Sequence, residues 1–212
     1  MAELILHTLN PQVERPASLP APGPYERIVG VTTDGNETIW EPNAGLPAPE
    51  SPDFPDRTTA HALEVPTFLA VRTGMFFLHR VIGGKDFFAS YGFLFDYNCH
   101  SFASFITDKT PVANSHFGTR LARRVIGKGL EAAPPLQMGE HGVLGRVDAT
   151  QRRKSRALRP VHSIVGLGPE DPRCLQVTSL FGYMALGTYE NVLEHFDAGQ
   201  ETSNNRLYVR AA

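Results

Sequence analysis

Cysteine is scarce in this chain: Cys99 and Cys174 are the only two in 212 residues. Two are too few for a disulfide scaffold or a structural zinc site, so free thiols in a reducing compartment are expected. Long apolar runs are missing too. The longest, around Met75–Leu78 and Phe93–Phe95, are a few residues each, against the roughly 20 that a membrane span needs. The segment MAELILHTLNPQ has no basic region, extended apolar stretch or small-residue cleavage site, so no signal peptide and a cytoplasmic location are expected. Neither sign of charge dominates. The formal net charge is −2 and the pI about 6.4, which supplies no global attraction to nucleic acid or anionic lipid. The glycine-rich pieces VIGGKD, VIGKG and GLGP match neither a phosphate-binding loop nor a dinucleotide fingerprint, and no His-x-x-x-His or acidic cluster points to a catalytic metal. Neither a cofactor nor a metal is expected.

What is present divides the chain. Residues 1–60 are rich in proline and turn formers (RPASLPAPGP, WEPNAGLPAPESPDFPD) and read as an N-terminal arm or subdomain. Within them YERIVGVTTDGNETIW reads as a hairpin about a Thr-Asp-Gly-Asn turn. Residues 61–212 read as the main domain. PTFLAVRTGMFFLHRVIGG places Phe68, Leu69, Val71, Met75, Phe76, Leu78, Val81 and Ile82 at helical spacing, with Gly83-Gly84 as the stop. Residues 98 to about 107 read as a short buried helix. HFGTRLARRVIGKG reads as another, with Arg120, Arg123 and Arg124 on its wet face. The C-terminal third then offers strands in MGEHGVLGRV, RPVHSIVGLG, RCLQVTSL and FGYMALG, a helix in TYENVLEHFDAG, and a closing strand in RLYVR. Helices followed by an antiparallel sheet indicate an α+β domain.

A reactive cysteine needs its thiolate, which a helix N-terminus favours. Cys99 falls at the start of the short buried helix, with Asp96 or Asn98 as its cap, and the same terminus can hold an oxyanion. His100 is adjacent, but neighbouring helix positions point in different directions. His162, opening the strand HSIVGLG, is the better base. A turn at 168–172 would bring Gln176 of the next strand close to His162. The glutamine oxygen could then accept from the far ring nitrogen and set the tautomer. Ser179 or His141 are alternatives for that third role. Tyr97, Asn98, His100 and His141 are candidate substrate contacts. Tyr97 would close over the cleft and His100 would line it on the exposed side of the helix, while a surface role is the plainer reading of His141. Cys174 reads as an exposed or half-buried strand residue. The basic run Arg152, Arg153, Lys154, Arg156 and Arg159 reads as a solvated hairpin loop.

The order is a helix carrying N-C-x-x-F-A, a strand MGEHGV, a strand HSIVGLG, then a strand with a polar residue. It resembles the NlpC-like branch of papain-fold cysteine peptidases over roughly residues 96–179. The resemblance implies an N-terminal helical part with the nucleophile helix packed on an antiparallel sheet. It also implies Cys99, His162 and Gln176 as the catalytic residues, a peptide or amide substrate, and a thioester acyl-enzyme. Two departures stand out: Asn98 precedes the cysteine and His100-Ser101 follows it, where the family usually has Asp before and Ser-Gly after, and a long insert including HFGTRLARRVIGKG separates the cysteine helix from the first strand. Asn-Cys with a later aromatic also resembles lecithin:retinol acyltransferase-like enzymes. In those a histidine precedes the cysteine, and His79, the candidate for that place, lies in a helical pattern. A fold that binds without turnover, and acyl transfer in place of hydrolysis, are the competing expectations.

Overall fold

A computed structural model describes residues 1–9, 25–42, 44, 58–82, 98–107, 115–147, 158–177, 183–197 and 205–210. The chain is mixed α/β. Ten strands among these residues join in one antiparallel sheet, and four helices pack on it. The strands are β1 (Ala2–Leu9), β2 (Glu26–Thr33), β3 (Ile39–Trp40), β4 (Thr58–Val65), β5 (Leu130–Glu131), β6 (His141–Val147), β7 (Leu158–Gly166), β8 (Arg173–Val177), β9 (Met184–Thr188) and β10 (Asn205–Val209). The helices are α1 (Thr67–Ile82), α2 (Cys99–Thr107), α3 (Ser115–Lys128) and α4 (Tyr189–Asp197). The sheet order is β4-β1-β2-β9-β8-β7-β6-β10-β5, with β3 against β2. No helix among the described residues is long and apolar enough to cross a membrane.

The hairpin expected in the N-terminal part forms between β2 and β3. Asp34 and Gly35 both take positive φ, 50° and 74°, as a two-residue turn matching strand twist requires. The amide of Asn36 closes it on Thr33 O at 2.9 Å. The N-terminal strands reach well beyond an arm. β1, where alternate residues Ala2, Leu4, Leu6 and Thr8 are buried, pairs with all eight positions of β4, from Ala2↔Val65 to Leu9↔Thr58. The expected boundary at 60/61 therefore falls inside a strand. β2 in turn pairs with β9 at Glu26↔Leu186 and Arg27↔Ala185, joining both ends of the chain in one sheet.

Period-2 alternation gives the sheet two apolar faces. On one, Leu69, Phe76, Phe77, Phe102 and Phe105 from α1 and α2 pack on Val165, Leu175 and Met184. On the same face Ala122, Val125 and Ile126 of α3 cover Val143. On the other, Val192 of α4 packs with Leu144, Ile164 and Cys174. Each large apolar side chain fully buried this way, Phe102 for one, contributes about 2–3 kcal/mol. The α1 pattern needs correction. Leu69 and Phe76 face the core as expected, whereas Phe68, Val71, Met75 and Leu78 are exposed, and Ala70 and Phe77 take the buried places. Helix α3 approaches α2 at Gly118, where a Cβ would overlap the backbone of Ser101. That contact fixes the beginning of α2, where Cys99 sits.

Candidate active site on the central strand

Asn98 ends the non-helical chain before α2 and is its cap. Its Oδ1 accepts from the amides of His100 and Ser101, each at 3.0 Å, and Ser101 Oγ accepts from the Asn98 amide at 2.7 Å. This reciprocal arrangement satisfies helix N–H groups that have no intrahelical partner. Asn98 Nδ2 also donates to Thr119 Oγ1 of α3 at 3.2 Å. Asp96 and Tyr97 lie outside the described residues. With the His100 and Ser101 amides committed to Asn98, the amide of Cys99 remains outside the cap.

Cys99 is the first residue of α2 and is buried. The backbone amides of Ser163, His100 and Cys99 itself act on its sulfur and favour the thiolate, but burial outweighs them and pushes the thiol up to about 11. The helix terminus therefore works in the expected direction without winning: in this closed interior the thiol keeps its proton at neutral pH.

The amide that meets the sulfur belongs to β7, the strand carrying His162. His162 and Ser163 are consecutive, so their side chains leave the strand on opposite faces. Ser163 points toward α2. Its Oγ lies 2.8 Å from His100 Nδ1 and 3.0 Å from His141 Nε2. These two histidines are interior residues, 6% and 4% exposed, in place of the expected cleft-lining and surface positions. Burial, then the neighbouring His162, His141 and Arg123, hold His100 down to about 3. Sequence reasoning missed Ser163. Its signal was the alternation itself, which places every second residue after His162 on one face and the residues between on the other.

His162 points to the opposite face. Its Nε2 lies 2.7 Å from Gln176 Oε1. Because an amide oxygen only accepts, Nε2 carries the proton and Nδ1 is the basic nitrogen. Nδ1 is buried and has no hydrogen-bond partner among the described residues. The β7–β8 pairing, Val165↔Leu175 and Gly166↔Cys174, puts Gln176 across from Ile164, two residues from the position opposite His162 and on the same face, within reach of its ring. The turn expected at 168–172 is present, with Gly168 at φ 114°. Phe196 of α4 stacks on the imidazole, with ring centroids 4.6 Å apart and planes at 29°; this residue was not anticipated. Burial, opposed by the Gln176 hydrogen bond and reinforced by His195, takes His162 down to about 4. Thiol and imidazole thus flank one peptide group, His162–Ser163, both neutral at pH 7.

Cys174 is buried, not half-exposed as expected. Its thiol donates to Gly187 O at 3.2 Å and is pushed up to about 12, mainly by burial. Both cysteines are free thiols. Ser179 and the basic run 152–156 lie outside the described residues, and Arg159 is exposed. His79 lies in α1. Among the described residues no group of three His, Cys, Asp or Glu side chains is arranged to hold a metal ion. Compared with family models, curated proteins and solved structures, the chain matches none.

Proposed function

We propose that the chain is a papain-like thiol hydrolase of the NlpC type, cleaving an amide or peptide bond through Cys99, His162 and Gln176. One observation carries this reading: the 2.7 Å bond from His162 Nε2 to Gln176 Oε1, which leaves Nδ1 bare on the residue next to the amide that contacts the Cys99 sulfur. A neutral thiol and a neutral imidazole call for general-base catalysis on demand, not a resting ion pair. In this structure sulfur and Nδ1 lie on opposite sides of β7, so the proposal requires β7 to turn the imidazole toward α2; Nδ1 then takes the thiol proton as sulfur attacks the acyl carbon. The amide N–H of Cys99 is the donor for the oxyanion. Collapse of the tetrahedral intermediate breaks the C–N bond, and the imidazolium gives its proton to the leaving amine. Water, deprotonated by the same nitrogen, then hydrolyses the thioester and restores the thiol.

The test is alkylation of the full chain with iodoacetamide at neutral pH, with peptide mapping, in parallel with turnover of a panel of aminoacyl-amide substrates. We expect label on Cys99 in preference to Cys174, a rate that falls in His162→Ala, and turnover lost in Cys99→Ala. Labelling of Cys99 indifferent to His162→Ala, together with turnover that survives Cys99→Ala, overturns the reading. A second reading, a fold that binds a partner without turnover, is favoured by the burial of Cys99, only 4% exposed, and by its raised thiol. Reactivity that stays negligible with every acyl substrate, together with an intact fold, selects it.

A further inference from the structure

Gln176 is fully buried, and only one end of its amide is accounted for. Oε1 holds His162. Nε2 has no hydrogen-bond partner among the described residues, and the same is true of the buried hydroxyl of Tyr25. The two groups share one small space over Gly187. A Cβ added there would sit 2.8 Å from Tyr25 Cδ1 and 3.6 Å from Gln176 Nε2. The amide also acts on the Tyr25 hydroxyl, opposing the loss of acidity that burial imposes on it. Tyr25 immediately precedes β2, so this contact comes from the N-terminal strands, across the β2–β9 junction.

We propose that Tyr25 is a positioning residue for His162, acting through Gln176: its oxygen takes the Gln176 amide N–H and so holds Oε1 on His162 Nε2. The argument rests on the demands of the reaction in the hydrolase reading above. Once His162 has taken the thiol proton, both ring nitrogens are donors, so Gln176 must present oxygen to it. The amide NH2 then faces away and needs an acceptor in a buried space, where an unmade hydrogen bond is costly. The buried phenol oxygen of Tyr25, itself without a partner among the described residues, is placed to accept. Donation to Tyr25 also polarises the amide and makes Oε1 the stronger acceptor. The effect favours the imidazolium over the neutral ring.

Two readouts test this on the full chain. In protein labelled with ¹⁵N-histidine, the His162 ring N–H is observed at pH 7 and assigned by its loss in His162→Gln. Tyr25→Phe should move that proton upfield as the bond to Gln176 slackens. Gly187→Ala, which displaces the Tyr25 ring but keeps its hydroxyl, should do the same. In turnover, Tyr25→Phe should lower kcat about tenfold with KM within about twofold. It should add nothing in a Gln176→Leu background, the signature of action through Gln176. A His162 N–H signal unmoved in both folded variants overturns the proposal, as does full additivity of Tyr25→Phe with Gln176→Leu. A moved signal in a wild-type chain that turns over no substrate leaves Tyr25 in this role and overturns the hydrolase reading instead.

Discussion

His162 and Ser163 are neighbours in β7, and each anchors a buried polar cluster, one per face of the sheet. Toward α2, Ser163 Oγ sits between His100 Nδ1 and His141 Nε2, and every atom of that bridge has a partner. Toward α4, His162 has one bond to Gln176, and three buried atoms there show no hydrogen-bond partner among the described residues: His162 Nδ1, Gln176 Nε2 and Tyr25 Oη. A satisfied buried network fixes structure, while an unsatisfied one stores capacity for chemistry. In the hydrolase reading, the Ser163 face holds α2 and Cys99 in place and the His162 face supplies the base.

Two substitutions, one per face, break or sharpen that division with the largest expected effects. If the hydrolase reading holds, His162→Ala removes the base and should lower kcat/KM by about 10²–10⁴-fold. Ser163→Ala strands two buried imidazole nitrogens at about 1–3 kcal/mol each, so its main effect should be on denaturant midpoint, with turnover of the folded fraction changed less than tenfold. Measuring unfolding and kinetics on both variants checks the assignment. If Ser163→Ala is neutral in stability but loses most turnover, the chemistry belongs to the other face.

How far this was legible in the sequence depends on the kind of signal. The elements from α2 onward were readable because glycine and proline separate them and each carries one clear period. The His162–Gln176 pair followed from strand register alone. β1 and β4 are hard to see in the sequence because the prolines between them obscure the pattern, although Ala2, Leu4 and Leu6 alternate cleanly. The buried face of α1 was not readable, because apolar residues surround the helix. Neighbouring strands choose the face, as where Gly74 lies against Thr33. Tyr25, Phe196 and the burial of His100 and His141 depend on strand pairings between distant segments, such as β2 with β9, that no local pattern encodes.

The next effect is on pH dependence, and it draws on both faces. His100 is held at about 3 and His162 at about 4, each below the ordinary 6.5 and each chiefly by burial. Between those values and 6.5 the unfolded chain binds protons that the folded one refuses. Stability is therefore fully present above 6.5 and falls as pH drops toward 4. Two such groups give a slope of about 2.7 kcal/mol per pH unit at most. The thiols run the other way. Cys99 at about 11 and Cys174 at about 12 stay protonated in the fold, so stability falls again above 9, where the unfolded thiols ionise. Melting temperature against pH should show a plateau between about 6.5 and 9. His162→Gln should halve the acid slope, and an unchanged slope would mean that the α4 face is solvated in solution.

The smallest effect concerns the cap that joins the two faces. Asn98 holds the amides of His100 and Ser101, and those two residues lead from the Cys99 amide into the Ser163 bridge. Asn98→Ala should cost about 1 kcal/mol, the usual loss for a helix N-cap. Asn98→Asp keeps an acceptor in the same place and adds a negative charge at the helix N-terminus, where charge of that sign is stabilising by about 0.3–1 kcal/mol. The two variants therefore move stability in opposite directions if Asn98 is only a cap. Its Nδ2 bond to Thr119 is the one contact that Asp cannot reproduce. A net loss in Asn98→Asp would show that fastening α2 to α3 matters more than capping. It would make the α2–α3 crossing at Gly118, not the helix terminus, the feature that fixes where the Cys99 sulfur meets β7.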